Sequence, residues 1–310
     1  MLALRSVVPR LASRVRRSAH DVASLPRLSA SSLDEDQIEA FSRDGATVVR
    51  SLVPPEWVDA LRAAAEANLD APGPLCDEHA AAQGTGGRFH DDQFLYRRWP
   101  TFDEFVRRSG VGDVAARAMR STTAHIFYDQ LFVKEPGTAA PTPWHNDTSY
   151  WHLAGDQIIS IWVALDPVSA DAGLAYVRGS HAWGLRHRVT NFSGDDHSAR
   201  NVYGDADALP PVPDVSEVAD ADLLKWDVEP GDALLFYSAM LHGAPGIPKD
   251  SPHRRRGYAT RWCGDDVRFV ELPGTMNTGW KAAGFDNELA PGDPIACDLH
   301  PNVVAAKGSD

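Results

Sequence analysis

Apolar residues recur at helical spacing near the start of the chain and at strand spacing from its middle onward. Ser31 or Ser32, followed by Asp34, Glu35 and Asp36, is helix N-cap chemistry with acids in the first turn. Ile38 and Phe41 lie one turn apart, and Gly45 is placed to end that helix. Residues 46–50 are rich in β-branched side chains and predict a strand. Pro54 and Pro55 open a second helix through Trp57, Leu61, Ala65 and Leu69, which stops before Pro72-Gly73-Pro74. Residues 75–88, rich in Ala and Gly, predict a loop. Residues 101–108 and 111–120 predict two short helices separated by Gly110.

From residue 122 the period changes. Residues 122–134, 158–165, 174–177, 233–237 and 257–263 are short and β-rich. They stop at turn signals such as Gly137, Asp166-Pro167, Gly179 and Pro230-Gly231-Asp232. Residues 183–222 are polar and read as a long insertion, and the tail from residue 273 is turn-rich. Helices followed by at least five short strands predict an α+β chain with a mainly β core, a β-sandwich or jelly roll behind N-terminal helices. No internal repeat and no second boundary is visible, so residues 31–310 are expected to form one domain.

Composition narrows the function classes. A formal charge of −13 over 310 residues disfavours general nucleic-acid binding, which needs Lys and Arg against phosphate. Any anionic ligand must be captured by a local basic pocket. No apolar run is long enough to span a membrane. Three cysteines, Cys76, Cys263 and Cys297, without a C-x-x-C, argue against a disulfide scaffold or a zinc ribbon. Residues 1–20 are different: Arg5, Arg10, Arg14, Arg16 and Arg17 with interspersed serines and no acid before Asp21. This is the signature of a mitochondrial or plastid presequence, joined by a linker that ends near residue 30. The expectation is a mitochondrial protein; the alternative is a basic N-terminal extension on a cytoplasmic one.

Candidate chemistry centres on residues 141–151, which contain His145-x-Asp147. On an extended strand, residues i and i+2 share a face, so this imidazole and carboxylate can close on one metal ion. His242, at the end of the apolar run 234–241 and beside Gly243, is the candidate third ligand. Two His and one carboxylate form a facial triad that leaves positions open on iron. A second pair, His90-x-Asp92, lies in a charged stretch and reads as solvated or at a hinge. Arg254, Arg255 and Arg256 follow His242 by 12 to 14 residues and lead into a strand. Alternation must turn at least one of them inward, where it needs an anion. His181 and His187 are poorer ligand candidates, and His152 is a candidate substrate contact. A metal-dependent barrel enzyme that does not use oxygen, or a binding protein on the same fold, remains an alternative at this point.

Several runs, taken in order, resemble a known family. They are Gln130-Leu-Phe-Val-Lys-Glu-Pro-Gly137, Pro143-Trp-His-Asn-Asp147, Ser160-Ile-Trp-Val-Ala-Leu165, Gly173-Leu-Ala-Tyr-Val-Arg-Gly-Ser-His181, Pro230-Gly-Asp232, His242-Gly-Ala244 and Arg255-Arg-Gly-Tyr258. Over residues 33–270 the chain resembles the phytanoyl-CoA dioxygenase family of Fe(II)- and 2-oxoglutarate-dependent oxygenases. The resemblance implies a double-stranded β-helix (a cupin-like jelly roll) with Fe(II), 2-oxoglutarate and O2. It implies iron on His145, Asp147 and His242, and the distal 2-oxoglutarate carboxylate on Arg255, with Arg254 and Arg256 as alternatives in register. Trp162 and Gln130 match positions lining the cosubstrate pocket. Ala244 stands where relatives often carry a hydroxyl. The carboxylate of Asp147 separates the chain from related halogenases, which lack it. The implied reaction is hydroxylation of a small apolar or amphipathic molecule, with release of succinate and CO2. An acyl-CoA would need a basic patch, for which Arg186-His187-Arg188 is the candidate.

Overall fold

The computed structural model describes residues 22, 24–82, 84, 86–188, 192, 209–217, 219, 222–272 and 276–304. The presequence expected at residues 1–20 and much of the 183–222 insertion lie outside the described residues.

The large sheet has the order β1-β10-β7-β12-β4-β3-β2, antiparallel throughout. Its strands are β1 (Ala46–Val49), β2 (Asp77–Glu78), β3 (Phe89–Gln93), β4 (His125–Lys134), β7 (Ile158–Ala164), β10 (Ala233–Tyr237) and β12 (Arg255–Cys263). A second sheet has the order β5-β11-β8-β9, from β5 (Thr142–His145), β8 (Ala175–Val177), β9 (Leu223–Leu224) and β11 (His242–Ala244). A two-stranded ribbon joins β6 (Leu153–Ala154) to β13 (Arg268–Phe269).

The helices cover one face of the large sheet. They are α1 (Glu35–Asp44), α2 (Pro55–Asp70), α4 (Pro100–Arg108) and α5 (Val111–Met119); the short α3 (His79–Ala82) lies instead beside Phe89 on the cavity side, and α6 (Asn277–Ala282) comes near the end. The cap of α1 is Asp34, not Ser31 or Ser32: its carboxylate accepts from the Gln37 amide at 2.8 Å while Gln37 answers the Asp34 amide. The serines instead belong to a single 3-10 turn, Ala30–Ser32. Gly45 closes α1 at φ 88°, a left-handed conformation that suits glycine.

Two-sided burial explains why the central strands read as nearly continuous apolar runs. In β7, Ile159, Ile161 and Val163 pack against the helical layer with Phe41, Trp57, Leu61 and Phe105. Trp162 and Ala164 point the other way, packing with Leu234, Phe236 and Tyr176 between the two sheets. Each large side chain so buried contributes roughly 1.5–3 kcal/mol. The inter-sheet layer is filled at one end and hollow at the other, and the hollow end holds the polar residues.

Three expectations need correction. The 75–88 stretch is not all loop, since it supplies β2 and α3. His90 and Asp92 are not solvated but fully buried in β3, facing Asn68 on the helical side. His242 does not end the 234–241 run: β10 stops at Tyr237, and His242 begins β11 in the other sheet. No described helix is long and apolar enough to cross a membrane.

Candidate metal centre

The antiparallel pairing of β5 with β11 sets His242 directly opposite His145, with ring centroids 4.2 Å apart. Asn146 takes one more extended step (φ −116°, ψ 132°), and Asp147 opens a short 3-10 turn, Asp147–Tyr150. Asp147 is therefore just past the strand, but the extended residue before it keeps the shared face. One Asp147 carboxylate oxygen lies 3.4 Å from His145 Nε2 and 3.9 Å from His242 Nε2. The three donor atoms all fall within 4.8 Å of one another, and all three residues are buried.

Both imidazoles are oriented from behind. His145 Nδ1 donates to the Pro143 carbonyl at 2.7 Å and His242 Nδ1 to the Met240 carbonyl at 3.0 Å. A carbonyl can only accept, so each Nδ1 carries the proton and each Nε2 presents its lone pair to the centre. Ser160 Oγ donates to the second Asp147 oxygen at 3.2 Å. Burial alone would raise Asp147, but its closeness to the His145 and His242 imidazoles and to the Arg261 guanidinium holds it well below the usual carboxylate range. Burial and the neighbouring His145 push His242 down to about 4, so it is a neutral ligand at neutral pH. Two neutral imidazoles and one carboxylate fit a divalent first-row ion such as iron.

Away from the centre, Asn146 accepts from Ser149 Oγ at 2.7 Å and donates to the Leu185 carbonyl at 3.0 Å. Arg186 donates to the carbonyls of Thr148, Trp151 and Leu153. Its guanidinium clasps the turn that carries Asp147, which corrects its reading as a coenzyme A contact. His152 is also corrected: its Nδ1 donates to the Val270 carbonyl at 3.1 Å and its ring stacks on Phe269, holding the β6–β13 ribbon. His181 stacks on Tyr237 and His187 packs near Trp183, both away from the triad.

The triad opens into a cavity of about 300 Å³ between the sheets. Strand alternation sends Arg255, Gly257, Ala259 and Arg261 of β12 into it, with Tyr128, Gln130 and Phe132 of β4. Of the three consecutive arginines, Arg254 pairs with Glu66 at 2.7 Å and Glu135 at 3.3 Å. Arg256 pairs with Asp166 at 2.6 Å and Glu66 at 2.9 Å. Arg255, 7% exposed, has no carboxylate within ion-pair distance among the described residues; it donates to the Ala172 carbonyl. Burial lowers it to about 10, so it stays charged at neutral pH. Beside it Lys134 is pushed down to about 5 by burial and by Arg255. Gly257 has a packing reason: a Cβ there would lie 2.1 Å from the Trp162 indole.

Sequence reasoning missed one cavity arginine and three polar residues that share the cavity with it. Arg261 is buried, stacks its guanidinium 4.6 Å from the Tyr128 ring centroid, and leaves Nε without a partner. Its place six residues after Arg255 on one strand was the available signal. Asp77 and Asp91, toward the β2 edge of the same sheet, line the cavity together with His79, and Gln130 Nε2 donates to Asp91 at 3.0 Å. Cys76, Glu78 and His90 also converge within 4.8 Å. There Glu78 is held by Arg88 at 2.7 Å, and the Cys76 thiol is pushed up to about 12 by burial and nearby carboxylates, which does not suit a metal ligand.

A family model described as Phytanoyl-CoA dioxygenase (PhyH) matches residues 41–257. An ectoine dioxygenase of Nocardia farcinica (strain IFM 10152) is 23% identical over 251 residues, 77% of this chain and 83% of that one. Among solved structures, the non-heme alpha ketoglutarate dependent carbocyclase SnoK from nogalamycin biosynthesis superposes with TM-score 0.66 at 21% identity, over 90% of this chain and all of that one. The epimerase SnoN, solved in complex with Fe3+, alpha ketoglutarate and nogalamycin RO, superposes with TM-score 0.63 at 17% identity, covering 89% and 100%. At such identities the structural likeness concerns the fold.

Proposed function

The chain belongs to the phytanoyl-CoA dioxygenase family of iron- and 2-oxoglutarate-dependent dioxygenases, and on that premise we propose that it hydroxylates a small organic molecule in the cavity beside His145, Asp147 and His242. We read the two sheets as the double-stranded β-helix and residues 31–310 as one catalytic domain. Residues 1–30 we take as a mitochondrial presequence and linker. N-terminal sequencing of the native protein that returns Met1 would refute that last reading.

In this reading His145, Asp147 and His242 hold the iron through two Nε2 atoms and one carboxylate. Arg255 pairs with the distal carboxylate of 2-oxoglutarate, and Trp162 and Gln130 flank that cosubstrate. Iron and 2-oxoglutarate, when bound, would supply the oxidising chemistry for hydroxylation of a substrate C–H bond by O2, with succinate and CO2 as co-products. The protein's part is orientation, charge and dryness. The Pro143 and Met240 carbonyls fix the imidazole planes, and Ser160 fixes the carboxylate. Tyr150, Phe192 and Phe236 wall the centre from water.

The observation that carries the proposal is Arg255: a buried cation without a carboxylate partner among the described residues, facing the cavity that the triad opens into, between two neighbours already paired with acids. The test is oxygen consumption by the full chain with Fe(II) and 2-oxoglutarate. Succinate should form above background, and metabolite screening for succinate above the uncoupled rate should then find the substrate. Turnover that needs neither Fe(II) nor 2-oxoglutarate would overturn the reading.

A further inference from the structure

Arg261 is a second cation in the cavity, and the chemistry proposed above leaves it without a task. It is 4% exposed and lines the chamber together with the triad. Its guanidinium leaves Nε without a partner and gives one long hydrogen bond, to the Ala259 carbonyl at 3.4 Å. No carboxylate among the described residues lies within ion-pair distance of it. The Tyr128 and Phe132 rings flank it, with centroids 4.6 and 5.6 Å away. Those faces relieve part of the cost of burying a cation, but they supply no anion, and a buried charge without one is expensive.

The sheet sets where this cation stands. Arg261 pairs with Tyr128 of β4 on one side and with Ser160 of β7 on the other, and Ser160 is the residue that donates to Asp147. The β12–β4 register shifts between Arg261 and Trp262, an irregularity that re-aims side chains beside sites. Arg261 is thus next to the triad, close enough for its charge to be felt at Asp147 and His242. Arg255 is six residues back on the same strand, about 20 Å along the backbone. The cavity's other acids do not answer Arg261. Asp91 is bonded to His79 and Gln130. Asp77 lies on edge strand β2, three strands from β12, or about 14 Å across the sheet.

We propose that Arg261 receives a carboxylate of the substrate, so that the chamber selects a small organic acid with an apolar body. The inference rests on the functional reading above and deepens it, because it takes this cavity as the substrate chamber. A guanidinium can meet a carboxylate with two parallel N–H bonds, which fixes orientation as well as position. The acid group held at Arg261 brings the neighbouring C–H bonds to the triad, and the apolar body fills the aromatic lining past Tyr150. The carboxylate of 2-oxoglutarate that lies toward the triad carries the same chemistry, and the experiment separates the two sources.

The test is calorimetric titration of matched probes, phenylacetate with phenylacetamide and cyclohexanecarboxylate with its amide. They are titrated into the full chain loaded with Fe(II) and 2-oxoglutarate without oxygen, so that Arg255 is already occupied. At least one acid should bind about tenfold tighter than its amide. Arg261→Met should reduce that ratio to about twofold or less, and Arg261→Gln, a second variant in case the first does not fold, should do the same. Arg261→Lys keeps the charge and should retain part of the preference. Affinity for 2-oxoglutarate should change by less than about threefold in Arg261→Met. The absence of an acid preference in both pairs, or a preference that survives Arg261→Met and Arg261→Gln, overturns the proposal. A loss of 2-oxoglutarate affinity of about tenfold or more in those variants also overturns it, because Arg261 then serves the cosubstrate. Each of these failures, with 2-oxoglutarate still bound by the wild-type chain, leaves the dioxygenase reading standing. An acid preference that Arg261→Met abolishes, in a chain that binds no 2-oxoglutarate, supports the subsite and removes that reading.

Discussion

Replacing Arg255 by Met separates cosubstrate recognition from fold stability. The residue is 7% exposed and faces the cavity without a carboxylate partner among the described residues, so the cost of desolvating it is met during folding. An incoming carboxylate therefore meets a preorganised charge. Two charge-assisted hydrogen bonds in that setting are worth about 3 kcal/mol net, or about 100-fold in affinity. Arg255→Met should weaken 2-oxoglutarate binding by about that factor, read by anaerobic titration of the Fe(II)-loaded chain. The same substitution should leave stability without cosubstrate unchanged or raised, because it removes a buried unpaired charge. Lys134 complicates the magnitude: burial is the first cause of its neutrality and Arg255 the second, so the variant eases protonation of Lys134 beside a bound carboxylate and recovers part of the attraction. Arg255→Met with Lys134→Met should lose more than the single change. Arg254→Ala should stay within about threefold of wild type, since its partners Glu66 and Glu135 are surface carboxylates. Arg256→Ala should instead lower stability by roughly 2 kcal/mol, because buried Asp166 loses its bidentate partner and keeps only the backbone amide of residue 256 and Arg62 at 4.0 Å. The reasoning is refuted if Arg255→Met binds 2-oxoglutarate normally while Arg254→Ala does not.

Three other outcomes follow from the geometry. Asp147→Ala should weaken Fe(II) binding by more than about 100-fold and abolish succinate formation; full activity in that variant would remove the triad. Gly257→Ala drives a Cβ to 2.1 Å from the Trp162 indole and should cost about 1–3 kcal/mol in thermal unfolding. Adding Trp162→Leu should recover much of that loss. Asp129 carries the pH prediction. Burial raises it to about 7 from 3.8, against hydrogen bonds from the Tyr258 hydroxyl and the Tyr96 amide. Its folded form keeps a proton that the unfolded chain has released, so the stabilisation is full below pH 4 and is lost as pH rises through 7. The span amounts to roughly 4 kcal/mol, and denaturation of Asp129→Asn should lack this decline between pH 4 and 7.

The candidate metal ligands were legible because their signal is local chemistry: His145-x-Asp147 needs only an extended step between its members. The helices were legible through caps and periodicity. Other features were hidden for physical reasons. The run 234–241 reads as one strand because Ser238 and Ala239 turn the chain without Gly or Pro. β3 is buried on both faces yet spelled Phe-His-Asp-Asp-Gln, so hydropathy marks it as solvated. Its His90 and Asp92, the pair that attracts attention, face the helical side, where Asp92 meets Asn68, Arg98 and the Gly73 amide. Asp91 between them faces the cavity. The choice among Arg254, Arg255 and Arg256 could not be made from spacing alone, because it depends on Glu66, Glu135 and Asp166, which are remote in the chain.

The same architecture explains how such a site can hold its chemistry fixed while changing its substrate. Arg255 and Arg261 sit on β12, a nine-residue strand bonded along its length to β4 and β7. A shift of one residue there would turn both arginines out of the cavity and break two ladders at once. Asp77 sits on β2, a two-residue strand at the sheet edge with a single neighbour, and His79 starts the four-residue α3 behind it. Little else depends on that register, so residues on this edge can be exchanged at low cost to stability. A cavity with both arginines on a central strand and acids toward an edge strand thus confines low-cost substitution to that edge. Exchanging residues 77–79 should alter which molecules couple to succinate formation before it alters 2-oxoglutarate affinity.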